Sequence, residues 1–358
     1  MAPSVAGTSA VLPRHRYDQQ DLAKRATELI PERNGATMRL FQNVGVGTRH
    51  LALPIEQYTT LDGFGNRSRV FVEVASELGA ETIRSVLDEA GLSASEIGML
   101  TTTTVTGIAV PSLDARLMNI LPFSPRMKRI PLFGLGCLGG AAGVARVSDY
   151  LRAYPEEAAL LLSVELCSLT FRSDDASIAN IVSTGLFGDG AAAVLMVGAH
   201  HRLASGAPAL IGKAHPPRVI DTRSQFFPGT ERVMGWDVED RGFKVVLSAD
   251  VPEIVRKHVP SAVDGFLHDH GLERGDIARW ILHPGGPKVI EALEQSLELP
   301  PDALDRTRAS LERHGNLSSA SVLFLLDEHR RTPPPEGAYG VMMAMGPAFC
   351  AELVLLQW

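Results

Sequence analysis

The sequence contains two short blocks in which a turn with one polar or reactive side chain leads into a helix of small residues. The first is GCLGGAAGV at residues 136–144, and the second is GNLSSASVL at residues 315–323. Small side chains let a helix approach its neighbours closely, because no bulky group holds the backbones apart. The repeated pattern predicts an internally duplicated core with a boundary in the loop-like region 200–215. Two unrelated turns of similar composition are the alternative.

Strand-like and helix-like segments alternate around both blocks. Apolar or β-branched runs predict strands at 99–107, 129–136, 159–169, 190–198, 278–285, 339–345 and 349–358. Apolar positions three and four apart predict a helix at 69–90 that Gly91 ends, and Pro287 suits the first turn of a second helix at 287–297. The alternation predicts an α/β fold with an N-terminal half, 1–205, and a C-terminal half, 206–358.

The composition argues against several classes of protein. The net charge is −7 and no long basic run occurs, which argues against a nucleic-acid partner. No apolar run reaches the roughly 18 residues of a membrane span, and the first residues lack the pattern of a signal peptide. Three cysteines in 358 residues do not indicate a disulfide framework. We therefore expect a cytoplasmic protein with small-molecule substrates and no metal site.

Cys137 is the candidate nucleophile. A thiol in the first turn of a helix lies at the positive end of the helix dipole, which favours its thiolate. The surrounding glycines permit a strained turn and the close approach of a substrate. A free cysteine buried as a small apolar residue is the alternative, and it is the interpretation we give Cys167 and Cys350, which lie in apolar runs.

His283 and Asn316 are the candidate partners of the thiol. His283 ends the apolar run WIL and precedes the turn PGGP, so its imidazole is presented at a strand end. Asn316, in the second block, offers a neutral hydrogen-bond donor. A satisfied core histidine and an ordinary helix-capping asparagine are the alternatives. The order of the three residues also fits a papain-like peptidase, but the papain cysteine signature is absent.

Four blocks in this order resemble the type III polyketide synthases, the chalcone synthase-like branch of the thiolase superfamily. They are the two turn-to-helix blocks, LFGDGAAAV at 186–194 and HPGGPK at 283–288. The resemblance extends from about Tyr17 to Trp358. Stretches such as VMGWDVEDRGFKVVLS at 233–248 are most similar to bacterial synthases of long-chain alkylpyrones and alkylresorcinols.

The resemblance implies a thiolase-like fold, with two duplicated βαβα halves in an α/β/α arrangement, and a homodimer. It also implies a mechanism without a permanently bound cofactor, in which acyl-CoA and malonyl-CoA are the substrates. Cys137, as a thiolate paired with protonated His283, would accept the acyl group. His283 and Asn316 would then bind the thioester carbonyl of malonyl-CoA and stabilise the enolate that decarboxylation leaves.

The resemblance also assigns a substrate cavity and a CoA site. The implied cavity residues are Phe187 as gatekeeper, Val245, Cys167, Thr170, Trp236, Val110 and Ser318. Val245 stands where plant enzymes have a second phenylalanine, and Val110 where their methionine reaches across the dimer. The candidates for CoA binding are Arg49, Lys288, Gly285 and Gly286. The family's C-terminal GFGPG loop is replaced here by Ala-Met-Gly-Pro-Ala at 344–348.

The predicted substrates are medium- to long-chain fatty acyl-CoAs, extended by malonyl-CoA to alkylpyrones or alkylresorcinols. One alternative is a ketoacyl-acyl-carrier-protein synthase of the initiation type, which shares the Cys, His and Asn. That family typically carries an Asn two or three residues after its His, where this sequence reads HPGGP. A non-catalytic thiolase-fold subunit is the alternative from another class, although all three predicted catalytic residues are present.

Overall fold

The computed structural model describes residues 1–30, 36–204 and 216–358. Its strands are β1 (Ser4–Val11), β2 (His15–Asp18), β3 (Thr48–Leu51), β4 (Ile97–Thr104), β5 (Lys128–Phe133), β6 (Ala158–Leu166), β7 (Asp189–Val197), β8 (Arg218–Phe226), β9 (Met234–Glu239), β10 (Gly242–Leu247), β11 (Ile277–Leu282), β12 (Tyr339–Gly346) and β13 (Cys350–Gln357). Its α-helices are α1 (Gln19–Leu29), α2 (Ala36–Gln42), α3 (Phe64–Ala90), α4 (Leu113–Leu117), α5 (Gly139–Ala153), α6 (Ile178–Leu186), α7 (Val251–His268), α8 (Pro287–Leu297), α9 (Asp305–His314) and α10 (Ser321–Arg331).

Most strands join one mixed sheet in the order β11-β12-β13-β8-β1-β7-β6-β4-β5. Strands β4, β5 and β6 are parallel to one another, and β11 is parallel to β12. Strands β6 and β12 each pair antiparallel with the next strand of the chain, β7 and β13. Two further sheets of two strands each, β2-β3 and the hairpin β9-β10, lie outside this sheet. The predicted α/β class is confirmed.

The sheet repeats one arrangement about its centre, where β8 lies beside β1. On one side the strands follow in the order β1, β7, β6 and β4, and on the other side in the order β8, β13, β12 and β11. In both series the first two pairs are antiparallel and the third pair is parallel. Helix α5 leads into β6 as α10 leads into β12, so the two turn-to-helix blocks occupy corresponding places. The predicted boundary between 205 and 206 lies outside the described residues.

The helices cover both faces of the sheet. Helices α5 and α10 pack side by side on one face of the sheet. Alternate residues of the strands, such as Leu161 of β6 and Met342 of β12, pack against these two helices. Helix α3 covers the other face of the N-terminal half, while α7 and α8 cover that of the C-terminal half. The buried central strands are therefore apolar on both faces, as expected for sheets covered by helices. None of the described helices is both long and apolar enough to cross a membrane.

Candidate active site

The Cys137 turn connects β5 to α5, as the sequence predicts. The strand ends before Gly134, whose φ is 88°, and a short 3-10 helix, Gly136–Leu138, leads directly into α5. Cys137 is partly exposed. The thiol therefore lies next to the N-terminal end of a long buried helix.

The glycines around Cys137 make room for two other segments of the chain. A Cβ on Gly136 would lie 2.5 Å from Pro347 Cδ, and a Cβ on Gly140 would lie 2.2 Å from the carbonyl oxygen of Ser319. Both distances are far below an ordinary contact. The sequence lacks bulk here because segments of the C-terminal half press directly against the cysteine turn.

Asn316 lies in the second block, at the end of α9. Its backbone N–H donates to Leu186 O at 2.9 Å, and its side-chain Oδ1 accepts the Ser318 N–H at 2.8 Å. The Asn316 side chain also lies close enough to the Cys137 sulfur to lower the pKa of the thiol. The Cys137 thiol donates to Ser318 Oγ at 3.7 Å. Asn316 thus both caps its own turn and contacts the candidate nucleophile.

His283 follows β11 at the C-terminal end of the strand and is 3% exposed. Its backbone N–H donates to Met343 O at 3.0 Å, on β12, and β12 also packs against the 3-10 helix of Cys137. Neither ring nitrogen has a hydrogen-bond partner among the described residues. Burial lowers the pKa of His283 to about 3. The imidazole is therefore neutral, with both nitrogens free to bind a substrate.

The charge state of the thiol differs from the prediction. Burial raises the pKa of Cys137 to about 12, although the interactions of the sulfur with the side chains of Ser318 and Asn316 partly oppose this shift. With His283 neutral as well, the predicted thiolate–imidazolium pair is not the state that the structure favours. The helix dipole was expected to dominate, but desolvation of the sulfur outweighs it.

A buried carboxyl group behind the cysteine turn was not identified from the sequence. Glu165 is fully buried and accepts hydrogen bonds from Thr106 Oγ1 at 2.9 Å, Val105 N at 3.0 Å and Ser319 Oγ at 2.5 Å. Burial raises its pKa. The signal was available, because Glu165 is the one charged residue in the apolar run ALLLSVEL.

A cavity lies beside this site, with about 710 Å³ of empty space including its mouth. It brings together Phe187, Trp236, Val245, Cys167 and Thr170, five of the predicted cavity residues. The rest of its lining is mainly apolar and includes Leu22, Ala26 and Leu29 of α1, Phe41, Ile55 and Phe171.

Two predicted cavity residues lie elsewhere. Val110 is 92% exposed and lies on the surface of the chain, outside the pocket. Ser318 contacts Cys137 and does not line the pocket. Val110 was expected to act across a dimer, so its exposure in one chain is compatible with that prediction and does not test it.

Arg49 was predicted as a CoA-phosphate residue, and the structure contradicts this. Its side chain is 4% exposed, and its guanidinium donates to Gln19 Oε1 at 3.0 Å and to Phe187 O at 2.7 Å, as well as to Thr184 O. An arginine whose donors hold buried groups cannot reach a phosphate in solvent. Arg49 instead fixes the segment that carries Phe187.

The other candidates for CoA binding lie near His283. Lys288 is exposed in the first turn of α8, and Gly285 and Gly286 form the link between His283 and this helix. Their role in CoA binding stays a prediction.

Comparisons with known proteins identify the family. Residues 48–201 match the model of the N-terminal domain of chalcone and stilbene synthases, and residues 219–358 match that of the C-terminal domain. The chain therefore belongs to the chalcone and stilbene synthase family, the type III polyketide synthases. These enzymes are condensing acyltransferases that use malonyl-CoA and other CoA thioesters without a permanently bound cofactor. The predicted thiolase-like fold is confirmed.

Individual relatives cover nearly the whole chain. It is 48% identical to a 1,3,6,8-tetrahydroxynaphthalene synthase of Streptomyces peucetius subsp. caesius, over 99% of this chain and 93% of the relative. It is 37% identical to a putative chalcone synthase of Bacillus subtilis (strain 168), over 98% and 97%. The crystal structure of 1,3,6,8-tetrahydroxynaphthalene synthase from Streptomyces coelicolor A3(2) superposes with a TM-score of 0.90 at 31% identity, over 100% of this chain and 99% of that one.

Proposed function

We propose that this enzyme loads a medium- or long-chain fatty acyl group from acyl-CoA and extends it with malonyl-CoA to an alkylpyrone or alkylresorcinol. The observation that carries the proposal is the pocket beside Phe187, whose lining is mainly leucine, alanine and aromatic side chains. A flexible alkyl chain gains about 0.8 kcal/mol for each methylene group that it buries. A pocket of this lining therefore favours long saturated starters.

In the loading step, Cys137 attacks the thioester carbonyl of acyl-CoA. Because burial keeps both groups neutral, the thiol proton passes to His283 as the new sulfur–carbon bond forms. The bond between the acyl carbon and the CoA sulfur then breaks, and the departing CoA thiolate takes the proton from His283. The products are acyl-Cys137 and free CoA.

In the extension step, malonyl-CoA loses carbon dioxide and leaves an enolate. The Oδ1 of Asn316 is occupied by the Ser318 N–H, so the amide NH₂ is oriented as the donor. A ring N–H of His283 supplies the second donor to the enolate oxygen. The enolate carbon attacks the acyl carbonyl on Cys137, and the bond between the acyl carbon and the Cys137 sulfur breaks. The Cys137 thiolate that leaves takes a proton from solvent, and the products are a β-ketoacyl-CoA and the free Cys137 thiol.

A second candidate function is formation of 1,3,6,8-tetrahydroxynaphthalene. The 48% identical relative bears that name, and so does the superposed structure from Streptomyces coelicolor. All ring carbons of this product can be derived from malonyl units, so malonyl-CoA alone would suffice as substrate.

The test is a product assay by mass spectrometry with malonyl-CoA alone and with a series of saturated acyl-CoAs. We expect kcat/KM to rise by up to about fourfold for each added methylene group until the pocket ends. Val245→Phe is expected to shorten the preferred starter, since Val245 lines the pocket, whereas Val238→Phe on the exposed side of the same hairpin is the control. A wild-type preference for short or aromatic starters would contradict the proposal, and Trp236, which also lines the pocket, would then be the first residue to replace.

We also propose that the enzyme is a homodimer. Strand β5 is an edge of the large sheet, and its exposed Phe133 lies on the same half as Val110 and Ile120, which are exposed as well. Exposed sheet edges with large apolar side chains are normally covered. Light scattering should give twice the 38.5 kDa chain mass, and Phe133→Asp should reduce it, whereas Val238→Asp should not. A wild-type mass of one chain would contradict this.

Two further parts of the proposal concern organisation and location. We assign residues 1–205 to the half that carries Cys137, and residues 206–358 to the half that carries His283 and Asn316. The cytoplasm is the proposed location, because CoA thioesters are the substrates of the family.

A further inference from the structure

The C-terminal end of α6 is held by two side chains that are distant from it in the sequence. Carbonyl groups at a helix end have no partner within the helix and bind other donors. Those of Thr184 and Phe187 accept hydrogen bonds from the Arg49 guanidinium. That of Gly185 accepts one from Gln19 Nε2 at 2.7 Å. Arg49 and Gln19 together therefore cap this end of α6.

The remaining carbonyl at the end of α6 binds the turn that carries Asn316. Leu186 O accepts the backbone N–H of Asn316 at 2.9 Å, and Asn316 O accepts the N–H of Gly188 at 3.0 Å. These two bonds fix the backbone of the residue whose side-chain amide is the proposed donor to the enolate. The position of Asn316 therefore depends on the position of the end of α6.

Arg49 also contacts the residue that precedes Asn316. A Cβ on Gly315 would lie 3.2 Å from both Cγ and Cδ of Arg49 and 2.7 Å from Leu186 O. Gly315 has a φ of 72°, which favours glycine at this position. The aliphatic part of Arg49 thus packs against the backbone of the Asn316 turn, while its guanidinium binds the end of α6.

The charge and shape of the guanidinium suit this place. Burial lowers the pKa of Arg49 to about 10, and the negative charge of Asp189 opposes the shift, so the side chain is a cation at neutral pH. A cation is favourable at the C-terminal end of a helix, where the helix dipole is negative. The guanidinium donates to two carbonyl oxygens and to Gln19 Oε1 at once. A lysine would offer only a point charge on a flexible chain.

We propose that Arg49 is a positioning residue for the decarboxylation of malonyl-CoA. It acts through Asn316, which it holds by way of the end of α6, so that the Asn316 amide can donate to the enolate oxygen. This inference rests on the proposed function of Asn316 and adds the residue on which the position of that amide depends.

The experiment measures two steps separately in Arg49→Gln. Intact-mass spectrometry follows the acylation of Cys137, and a second assay follows the release of carbon dioxide from malonyl-CoA. The matched control is Arg313→Gln, because Arg313 is an exposed arginine three residues before Asn316. A displacement of about 1 Å can cost roughly 10² in rate, so carbon dioxide release should fall about 10- to 100-fold in Arg49→Gln. Acylation should stay near the wild-type rate in both variants, which also shows that the protein is folded.

A double variant separates positioning from a general structural role. Asn316→Ala removes the donor that Arg49 is proposed to hold, so adding Arg49→Gln should not slow carbon dioxide release any further. A further loss in the double variant, or equal losses of acylation and decarboxylation in Arg49→Gln, would show that Arg49 only stabilises the fold. Wild-type decarboxylation in Arg49→Gln would also overturn the inference.

Two milder variants decide the question if Arg49→Gln does not fold. Arg49→Lys keeps the charge but loses the fork of donors, and Gln19→Met removes the partner of Gly185 O. Both should release carbon dioxide more slowly than the wild type and acylate Cys137 normally, and normal release in both would overturn the inference. If Asn316→Ala itself decarboxylates at the wild-type rate, the proposed function of Asn316 fails and the positioning role fails with it. A slow Asn316→Ala beside a fast Arg49→Gln overturns the positioning role alone.

Discussion

Replacement of Gly140 by alanine tests whether the glycines of the cysteine turn set the position of the active site. A Cβ at Gly140 would lie 2.2 Å from the backbone carbonyl oxygen of Ser319 and 2.8 Å from Val322 Cγ1. An ordinary contact would need about 1 Å more, and a backbone oxygen cannot rotate away as a side chain can. Either α5 or the Ser318–Ala320 turn must therefore shift.

The expected losses of stability and of acylation rate depend on the groups that such a shift would displace. Overpacking of this kind destabilises a core by about 1–3 kcal/mol. The Ser318–Ala320 turn also holds the partners of Cys137 and Glu165. A displacement of about 1 Å can cost a factor of roughly 10² in rate. Gly140→Ala should thus unfold at lower urea concentration and acylate Cys137 about 100-fold more slowly.

A control separates this clash from the general effect of alanine in a helix. Gly265 lies in α7, and the atom nearest to a Cβ added at this position would be Arg223 Nη1, at 4.0 Å. Gly265→Ala should stabilise the helix by up to about 1 kcal/mol and leave acylation unchanged. Urea denaturation, monitored by circular dichroism, measures the stability, and intact-mass spectrometry measures the rate of acylation. A Gly140→Ala variant with wild-type stability and acylation rate would refute the reasoning.

The remaining predictions concern the individual catalytic groups. Because burial raises the pKa of Cys137 to about 12, its alkylation by iodoacetamide should accelerate about tenfold per pH unit from pH 7 to 9. A rate that reaches a plateau below pH 8.5, and a plateau that is lost in His283→Gln, would instead show that Cys137 and His283 form a thiolate–imidazolium pair. Cys137→Ala should form no acyl adduct, whereas Cys167→Ala should still form one, and an adduct mapped to Cys167 would reverse the assignment. Asn316→Ala should still be acylated but release carbon dioxide from malonyl-CoA on the order of 10²–10³ times more slowly, and undiminished release would leave Asn316 as a helix cap.

The residues that sequence analysis located well are those whose roles depend on local structure. The turn at Cys137 is specified by its own glycines and by the helix that follows, within a few positions of the thiol. The strand end at His283 is set by an apolar run and by the Pro-Gly-Gly turn. The helix that Gly91 ends is equally local, since Gly91 adopts the left-handed conformation of a helix C-terminus with φ of 63°.

The features that sequence analysis missed depend on contacts between distant segments. Arg49 was a candidate for a CoA phosphate only as a basic residue, yet its guanidinium donates to Gln19 and to Phe187, which are distant in the sequence. The pKa of Cys137 could not be inferred either. The helix dipole is a local property, but the desolvation that outweighs it is produced by segments of the C-terminal half packed on the turn.

Such long-range contacts also connect the pocket wall to the catalytic groups. Phe187 and Asn316 form an isolated parallel bridge, in which Asn316 N–H donates to Leu186 O at 2.9 Å and Gly188 N–H donates to Asn316 O at 3.0 Å. Arg49 holds the carbonyl of the same Phe187. We therefore expect a substitution that moves the pocket wall also to move Asn316, the proposed oxyanion donor. Starter selection and decarboxylation are consequently coupled through the backbone of this segment, and variants of the pocket need both rates measured.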